Sequence, residues 1–521
     1  MGRRIRWLGV VLILCFGLVI VQLANIQFRK ASALAASSNN PINQAPDFDN
    51  DRGMIFAADG TLLAESVRIA PKGSDNYQFQ RVYPQKSLFS QIVGVCSPDP
   101  VIGCDSGVEG YYSDALGLHK QSPQTLSQLL SPPPPTTDDI TLTIDPALQL
   151  LATQELDGVS GPNKDGAIVI LNPKTGAILA MASNPTYDPT PLVSRDFAAA
   201  DEAKTADLVP DAEGFLPLYP IATYNPIEMG STAKVVTTAA IYNLDPSLAS
   251  FNFLNGVPQK CTPPIPDTNK VICNDADTSA AADACGGTIV VMLPQSCDPG
   301  YAELGLQLGG NTLAEQASLF GFNTAPPLDI EPDGGPAGHV VQPSQYPTAQ
   351  ELSAGGNPGI PGQAYSAFGQ QDVLATALQN ALVAAGVANH GAIMVPHLLE
   401  KITNAQGQVV ETYKPQVWKQ AMTPQAAQEL TPLMQAVATA AGATARGVFP
   451  PSLNVAVKTG TAQIETGTTV TSVQDWMIGF APANNPEVAI AVVVPYQALN
   501  TAGAIVAGPI VRAMLEAIPG A

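Results

Sequence analysis

Strand-forming segments lie at two places far apart in this chain. GAIVILNPKTGAILAMAS (166–183) predicts two apolar strands joined by a turn. Near the C-terminus, NVAVKTGTAQIE (454–465), WMIGFAP (476–482) and EVAIAVVVP (487–495) predict three more strands. The region between them is rich in Ala, Gly and Pro and predicts helices. Because both ends contribute to one sheet, we expect an α/β (α+β) fold, with a mainly antiparallel sheet flanked by helices and a helical lobe.

A smaller domain precedes this one. RGMIFAADGTLLAES (52–66) has apolar residues on both sides of an Asp-Gly turn, which predicts a hairpin, and SLFSQIVGV (87–95) predicts a further strand. Residues 121–140 contain four consecutive prolines, which make a stiff spacer. We therefore predict a small mixed pedestal domain at 31–138, ending in this linker, and a larger domain at 139–521.

An apolar run, WLGVVLILCFGLVIVQLANI, occupies residues 7–26 directly after three arginines. Its length is that of a helix that crosses a bilayer, and the arginines predict that the N-terminus stays in the cytoplasm. A cleaved signal peptide is the alternative, because ALAAS at 33–37 offers small residues to a protease. The length of the run favours an anchor. The sequence thus predicts residues 1–30 as a short cytoplasmic N-terminus and transmembrane helix of a single-pass protein of the cytoplasmic (inner) membrane, with the domains outside.

Charge and residue spacing exclude several classes of partner. The formal net charge of −20 argues against nucleic acid, because binding to phosphates needs clustered Lys and Arg. No His/Cys group has the spacing of zinc ligands, and no glycine-rich phosphate loop follows a predicted strand. We therefore expect no metal and no cofactor.

Disulfides are permitted outside the membrane. Cys96 and Cys104 form the simplest pair, closing a short loop. Four further cysteines, spaced twelve apart, allow three pairings between which the sequence does not decide. These four are Cys261, Cys273, Cys285 and Cys297.

The stretch EMGSTAKVVTTAA (228–240) predicts a buried helix with a lysine at its head. Lys234 follows Ser231 by three residues, so the two side chains share one face. A serine becomes a nucleophile when a base lies within hydrogen-bond reach, and a lysine can be that base if burial lowers its pKa. The alternative is a first-turn lysine that extends to water.

KTGTA (458–462) favours the catalytic interpretation. Lys458 follows the alternating NVAV, so it lies on a strand or at its end, and Gly460 lets a ligand or another backbone approach that strand. A Ser-x-x-Lys followed far downstream by Lys-Thr-Gly is the arrangement of serine acyltransferases that act on D-alanyl peptides and penicillins.

With these motifs, the chain resembles the class B penicillin-binding proteins, the membrane-anchored D,D-transpeptidases that cross-link peptidoglycan. The resemblance covers most of residues 50–515 in the family order. It is carried by RGMIFAADGTLLAES, TLTIDPALQLLATQEL, GAIVILNPKTGAILAMASNPTYDP, MGSTAK, NHGAIMVPHLL, VKTGTA and WMIGFAP.

The resemblance implies a role for each matching residue. Ser231 would attack the penultimate D-alanine carbonyl and form an acyl-enzyme, with Lys234 as its general base. Lys458 would bind the substrate carboxylate. The backbone N–H groups of Ser231 and Thr461 would form the oxyanion hole. The substrate-binding strand would comprise Thr459, Gly460 and Thr461.

The family's third motif, Ser-x-Asn, matches Ser296-Cys297-Asp298 with one departure. Asp298 stands where the family has Asn, and an ionised Asp accepts hydrogen bonds but does not donate them. The resemblance places Ser296 and Asp298 in the catalytic site. Cys297 is either a free thiol or a disulfide partner, and we favour a buried structural role.

The resemblance also implies partners: peptidoglycan stem peptides, β-lactams and a membrane glycosyltransferase. A D,D-carboxypeptidase or β-lactamase would use the same chemistry, but the pedestal domain and anchor argue against both. A catalytically weakened scaffold in a cell-wall synthesis complex is the other alternative, through Asp298. The intact Ser231, Lys234 and Lys458 argue against it.

Overall fold

The structure is a computed structural model of the 521-residue chain. Apart from Trp7 and Phe16, the predicted anchor at 7–26 lies outside the residues it describes, as do most of the segment that follows it and most of the Pro-rich linker. No helix among the described residues is long and apolar enough to cross a membrane. The described residues are Trp7, Phe16 and Phe48 singly, then 50–70, 77–119, 135–161, 163–274, 284–330, 341–466 and 469–520.

The described residues form both strands and helices. In chain order the strands are β1 (Ile55–Phe56), β2 (Leu62–Arg68), β3 (Phe79–Val82), β4 (Asp138–Leu142), β5 (Gly166–Leu171), β6 (Ile178–Asn184), β7 (Ile227–Glu228), β8 (Asn252–Phe253), β9 (Gly287–Thr288), β10 (Leu374–Ala375), β11 (Ala392–Met394), β12 (Leu399–Asn404), β13 (Val409–Thr412), β14 (Val417–Gln420), β15 (Ala456–Thr466), β16 (Thr469–Ala481) and β17 (Val488–Gln497). The α-helices are α1 (Ser90–Val93), α2 (Gly107–Tyr111), α3 (Ser113–Leu116), α4 (Pro146–Asp157), α5 (Phe197–Asp207), α6 (Ile221–Tyr224), α7 (Lys234–Leu244), α8 (Ile289–Gln295), α9 (Asp298–Leu319), α10 (Gly359–Ser366), α11 (Ala377–Ala388), α12 (Pro424–Thr439) and α13 (Ala507–Glu516).

The larger domain is built on a five-stranded sheet in the order β15-β16-β17-β5-β6. All four strand pairs are antiparallel, and the sheet joins strands from both ends of the domain as predicted. β15, which carries the Lys-Thr-Gly motif, is an edge strand. It is therefore paired on one side only, and its other side is free to face a ligand.

Both faces of this sheet are buried. Along β5, Ile168 and Ile170 belong to one hydrophobic cluster and Ala167 and Val169 to another, because successive side chains point to opposite faces. Helices α4 and α13 pack on the first face, and the fully buried α11 packs on the second. Asp145 caps the N-terminus of α4, accepting from the backbone N–H groups of Ala147 and Leu148.

A six-stranded sheet in the order β13-β12-β4-β1-β2-β3 carries the N-terminal strands. The predicted hairpin is present as β1 and β2, which pair antiparallel. The predicted domain boundary at residue 138 falls at the start of β4, which pairs with β1 on one side and with β12 on the other. The sheet therefore includes strands from both sides of that boundary.

The strand predicted at 87–95 is wrong. Residues 86–88 form a 3-10 helix and Ser90–Val93 form α1. Phe89, Ile92 and Val93 are buried together, which a single helical turn achieves and an alternating strand would not.

The disulfides settle the pairing that the sequence left open. Cys96 bonds to Cys104 as expected, and the other four cysteines form the pairs Cys261–Cys273 and Cys285–Cys297. Cys297 is thus a buried disulfide partner rather than a free thiol.

Candidate active site

Ser231 lies in a 3-10 turn, Gly230–Ala233, that leads directly into α7. Gly230 has a φ of 52°, and a Cβ there would lie 2.8 Å from the backbone nitrogen of Ala462, so only glycine lets this turn approach β15. Lys234 is fully buried at the head of α7, and its Nζ lies 2.8 Å from Ser231 Oγ. The two side chains share one face, as their spacing predicted.

The Lys234 ammonium is surrounded by groups from the third motif. Its Nζ donates to Ser296 O at 2.7 Å and to Ser296 Oγ at 3.1 Å, and it also contacts Asp298 Oδ1. The face of the Tyr301 ring lies 5.4 Å away. Burial lowers the pKa of Lys234, and the Asp298 carboxylate opposes that shift. A lowered pKa increases the neutral fraction, which is the form that accepts a proton.

Backbone conformation brings Ser296 and Asp298 to this point. Ser296 ends α8 in the left-handed region, with a φ of 58°, and Asp298 begins α9. Between them, the disulfide from Cys297 to Cys285 fixes the junction of the two helices. The Asp298 carboxylate lies 3.5 Å from Ser231 Oγ, so the structure brings the Asp that replaces the family's Asn to the predicted nucleophile.

Lys458 lies on β15 and is also fully buried. Its Nζ donates to Ser296 Oγ at 2.9 Å and to the carbonyl oxygen of Thr459 at 2.8 Å. Ser296 Oγ therefore bridges the ammonium groups of Lys234 and Lys458. Burial, reinforced by the nearby positive charge of Lys234, holds the pKa of Lys458 well below its ordinary value.

The rest of the predicted motif continues along β15. A Cβ on Gly460 would lie 2.8 Å from the carbonyl oxygen of Met229, so this glycine permits the close approach of the segment that bears Ser231. The Thr459 hydroxyl lies 2.7 Å from that of Thr444, and Thr461 Oγ1 accepts from the backbone N–H of Gly503 at 3.2 Å. The structure therefore brings all the predicted site residues together, from α7, the α8–α9 junction and β15.

Three residues near the site were not found from the sequence. Asn274 Oδ1 accepts from the backbone N–H of Asp298 at 2.9 Å, Thr444 bonds to Thr459, and Asp475 lies buried opposite Thr461 in the β15–β16 ladder. Asn274 and Thr444 lie in segments without periodicity and carried no signal. Asp475 did carry one, because an acidic residue directly precedes the apolar run WMIGFAP.

One group of carboxylates among the described residues is close enough to hold a metal ion. Asp165, Asp211 and Glu213 have carboxylate oxygens within 4.8 Å of one another, and all three side chains are partly exposed. Exposed acidic groups commonly cluster in this way without an ion. The chemistry at Ser231 does not involve them.

The fold and the site together define a serine acyltransferase, in which a buried lysine can receive the proton of the hydroxyl that attacks. Comparison with known proteins identifies the family. The family model described as "Penicillin binding protein transpeptidase domain" matches residues 166–516. A second family model, "Penicillin binding protein A dimerisation domain", matches residues 52–131. The chain belongs to the penicillin-binding protein transpeptidase family.

Similar proteins cover nearly the whole chain. The peptidoglycan D,D-transpeptidase PbpA of Mycolicibacterium smegmatis is 31% identical over a gapped alignment of 528 positions, which covers 99% of this chain and 99% of that one. The crystal structure of PBPA from Mycobacterium tuberculosis superposes with a TM-score of 0.73 at 28% identity, covering 90% of this chain and 99% of that one. The penicillin G acyl-enzyme complex of penicillin-binding protein A from M. tuberculosis gives a TM-score of 0.71 at 28% identity, with the same coverage.

Proposed function

We propose that this protein cross-links peptidoglycan by D,D-transpeptidation through a serine acyl-enzyme, and that β-lactams acylate the same serine. The observation that carries the proposal is the buried Lys234 Nζ at 2.8 Å from Ser231 Oγ. A lysine held in this way, with a pKa lowered by burial, can serve as a general base at neutral pH.

Acylation follows from this geometry. Ser231 Oγ attacks the carbonyl carbon of the penultimate D-alanine, and its proton passes to neutral Lys234. The oxyanion of the tetrahedral intermediate is stabilised by the backbone N–H groups of Ser231 and Thr461. When the C–N bond breaks, the leaving amine of D-alanine takes up a proton, for which the Ser296 hydroxyl between the two lysines offers a path from Lys234.

Deacylation reverses these roles. The amine of a second stem peptide attacks the ester carbonyl and gives up its proton to Lys234, which passes a proton to Ser231 Oγ as the ester C–O bond breaks. A new amide bond then joins two stem peptides. Lys458, with the Thr459 hydroxyl next to it, holds the terminal carboxylate of the donor peptide during the first half-reaction. The decisive experiment is covalent labelling by a fluorescent penicillin, with the adduct located by mass spectrometry.

The Asp298 carboxylate favours one alternative, a catalytically weakened scaffold. Its contact with Lys234 stabilises the charged lysine and so reduces the neutral fraction available as base. We expect Asp298→Asn to accelerate β-lactam acylation at pH 7, by about tenfold for each unit by which the pKa of Lys234 falls. Acylation rates of both forms from pH 5 to 9 provide the measurement.

The control for this comparison is Asp157→Asn, at the exposed C-terminal end of α4. Asp157→Asn changes the net charge of the protein by the same amount as Asp298→Asn, but away from the site. Any effect of net charge alone would therefore appear in both variants. Superimposable pH profiles of the native and Asp298→Asn forms would show that Asp298 does not control the charge of Lys234.

The apolar run at 7–26 anchors the protein in the cytoplasmic membrane, with the catalytic domain outside and near a membrane glycosyltransferase. We expect the full chain to remain in the membrane fraction after washing at high salt, and a form that begins at residue 31 to be released. Membrane fractionation tests this expectation, and N-terminal sequencing of the mature protein tests whether the run is cleaved. A mature start near Ala36 would identify a cleaved signal peptide instead.

A further inference from the structure

Asp475 is a fully buried carboxyl group on β16 that the acyl-transfer chemistry above does not use. Neither of its carboxyl oxygens makes a hydrogen bond of normal geometry. Burial of an unpaired carboxyl costs free energy, so a group of this kind calls for an explanation beyond packing.

Its place in the sheet connects it to the site. Asp475 lies directly opposite Thr461 in the β15–β16 ladder, so the two side chains are on the same face of the sheet. Thr461 is the residue whose backbone N–H is assigned to the oxyanion hole. Asp475 is therefore the cross-strand neighbour of the residue whose backbone N–H stabilises the tetrahedral intermediate.

A loop covers this pair. In the segment 498–506, Gly503 donates its N–H to Thr461 Oγ1 at 3.2 Å. A Cβ on Gly503 would lie 2.1 Å from the carbonyl oxygen of Trp476 and 2.5 Å from that of Gly460, so the loop rests directly on both strands. Asp475 is thus enclosed by β15, β16 and this loop.

The hydroxyls of Thr461 and Thr501 are the polar groups that act on Asp475. Both favour its ionised form, although neither makes a hydrogen bond of normal geometry with it. The Thr501 hydroxyl donates instead to the carbonyl oxygen of Ala498 at 2.8 Å, within the loop. In an unliganded site, the hydrogen bonds of the reacting complex are often long and close only when substrate binds. A continuous chain of hydrogen bonds would then run from the Gly503 N–H through the Thr461 hydroxyl to the Asp475 carboxylate. Each hydrogen bond in such a chain strengthens the next.

We propose that Asp475 is a positioning residue of the transpeptidation site: in the reacting complex its carboxylate accepts from the hydroxyl of Thr461 and from that of Thr501, which turns to it from the Ala498 carbonyl. These bonds fasten the loop 498–506 to β15 and fix the backbone N–H of Thr461. This inference deepens the proposed function and rests on it. Ionised Asp475 is the form that accepts both hydroxyls.

The Asp475 carboxyl group ionises near neutral pH. Burial raises its pKa from the ordinary value to about 7, and no charged side chain of the described residues contributes to the shift. The groups that face it are Thr461 from β15, Thr501 from the loop and Val494, its opposite residue on β17. The fastening is therefore expected to strengthen as pH rises through about 7.

The contribution of Asp475 to the free energy of unfolding changes with pH in the opposite direction to this fastening. The two pH dependences therefore distinguish a positioning role from a packing role. Because the folded state binds this proton more tightly than the unfolded state, stability from Asp475 is present at low pH and is lost as pH rises towards about 7. Asp475→Asn keeps the shape and removes the charge. At pH 8 it should therefore melt no lower than the native protein.

The test measures penicillin acylation rates from pH 5.5 to 8.5 and melting temperatures at pH 8. Asp475→Asn is expected to acylate about tenfold more slowly at pH 8 and to lose the inflection near pH 7, since a hydrogen bond to a charged group is removed. Thr501→Val should slow acylation in the same direction, and adding it to Asp475→Asn should cost little more, because both remove one interaction.

The control is Asp329→Asn. Asp329 is a buried carboxylate that accepts from the backbone N–H groups of Leu398 and Leu399, outside the site. It should lower the melting temperature and leave the acylation profile unchanged. An Asp475→Asn profile that superimposes on the native one overturns this inference alone. A native protein that takes no label at any pH overturns the proposed function and this inference with it.

Discussion

Ser231→Ala abolishes covalent labelling by penicillin and leaves the protein folded. Ser231 Oγ is the hydroxyl that the buried Lys234 Nζ contacts, at 2.8 Å. Its removal takes away the attacking atom, the hydrogen bond from Lys234 and the long one to Asp298 at 3.5 Å, so we expect a change in unfolding free energy of about 1 kcal/mol. Intact mass measured after incubation with penicillin G reports the adduct, and thermal unfolding reports the fold.

Ser247→Ala is the matched control for this variant. Ser247 is an exposed serine in the turn after α7, where it bonds to Asp245, and it should label as the native protein does. An adduct that remains on Ser231→Ala, or that maps to a different serine in the native protein, would refute the assignment of the nucleophile.

Lys234→Met lowers the acylation rate by about 100- to 10 000-fold, the range over which a positioned general base contributes. Met has a similar length and no charge, so the helix α7 keeps its packing. The Asp298 side chain that loses its partner is a quarter exposed, so water can solvate it. Stopped-flow acylation with a chromogenic cephalosporin measures the rate.

The control for this second variant is Lys174→Met. Lys174 forms an exposed ion pair with Glu487 at 2.9 Å, and such exposed pairs contribute little to stability. It should acylate at the native rate. If Lys234→Met stays within tenfold of native, the base for Ser231 is a different group.

The proximity of the candidate site residues was predictable from the sequence because their motifs are local. Ser231 and Lys234 occupy one turn, and Lys458 to Thr461 occupy one strand, so short patterns specify their geometry. The sequence did not specify how Ser296 approaches both lysines. That contact depends on a left-handed residue at a helix junction and on a disulfide whose pairing has three possibilities.

Long-range pairing accounts for the other differences. Nothing in residues 399–412 indicates that they extend the N-terminal sheet, because β12 meets β4 only after more than 250 residues of intervening chain. The error at 87–95 has a local cause: a short apolar run fits a strand or a helical turn equally well, and the packing of Phe89 decides. The burial of Asp475 depends on the loop 498–506, which folds over it from a third strand.

The most direct test of the central claim is a transpeptidation assay with the purified full-length protein. The donor is a synthetic peptide that ends in D-Ala-D-Ala, and the acceptor is a second peptide with a free side-chain amine. We expect one D-alanine to be released for each cross-linked dimer seen by mass spectrometry, and neither product to be formed by Ser231→Ala. Release of D-alanine with hydrolysed donor and no dimer would indicate a carboxypeptidase, and no release with a folded native protein would indicate a scaffold; either result would contradict the account.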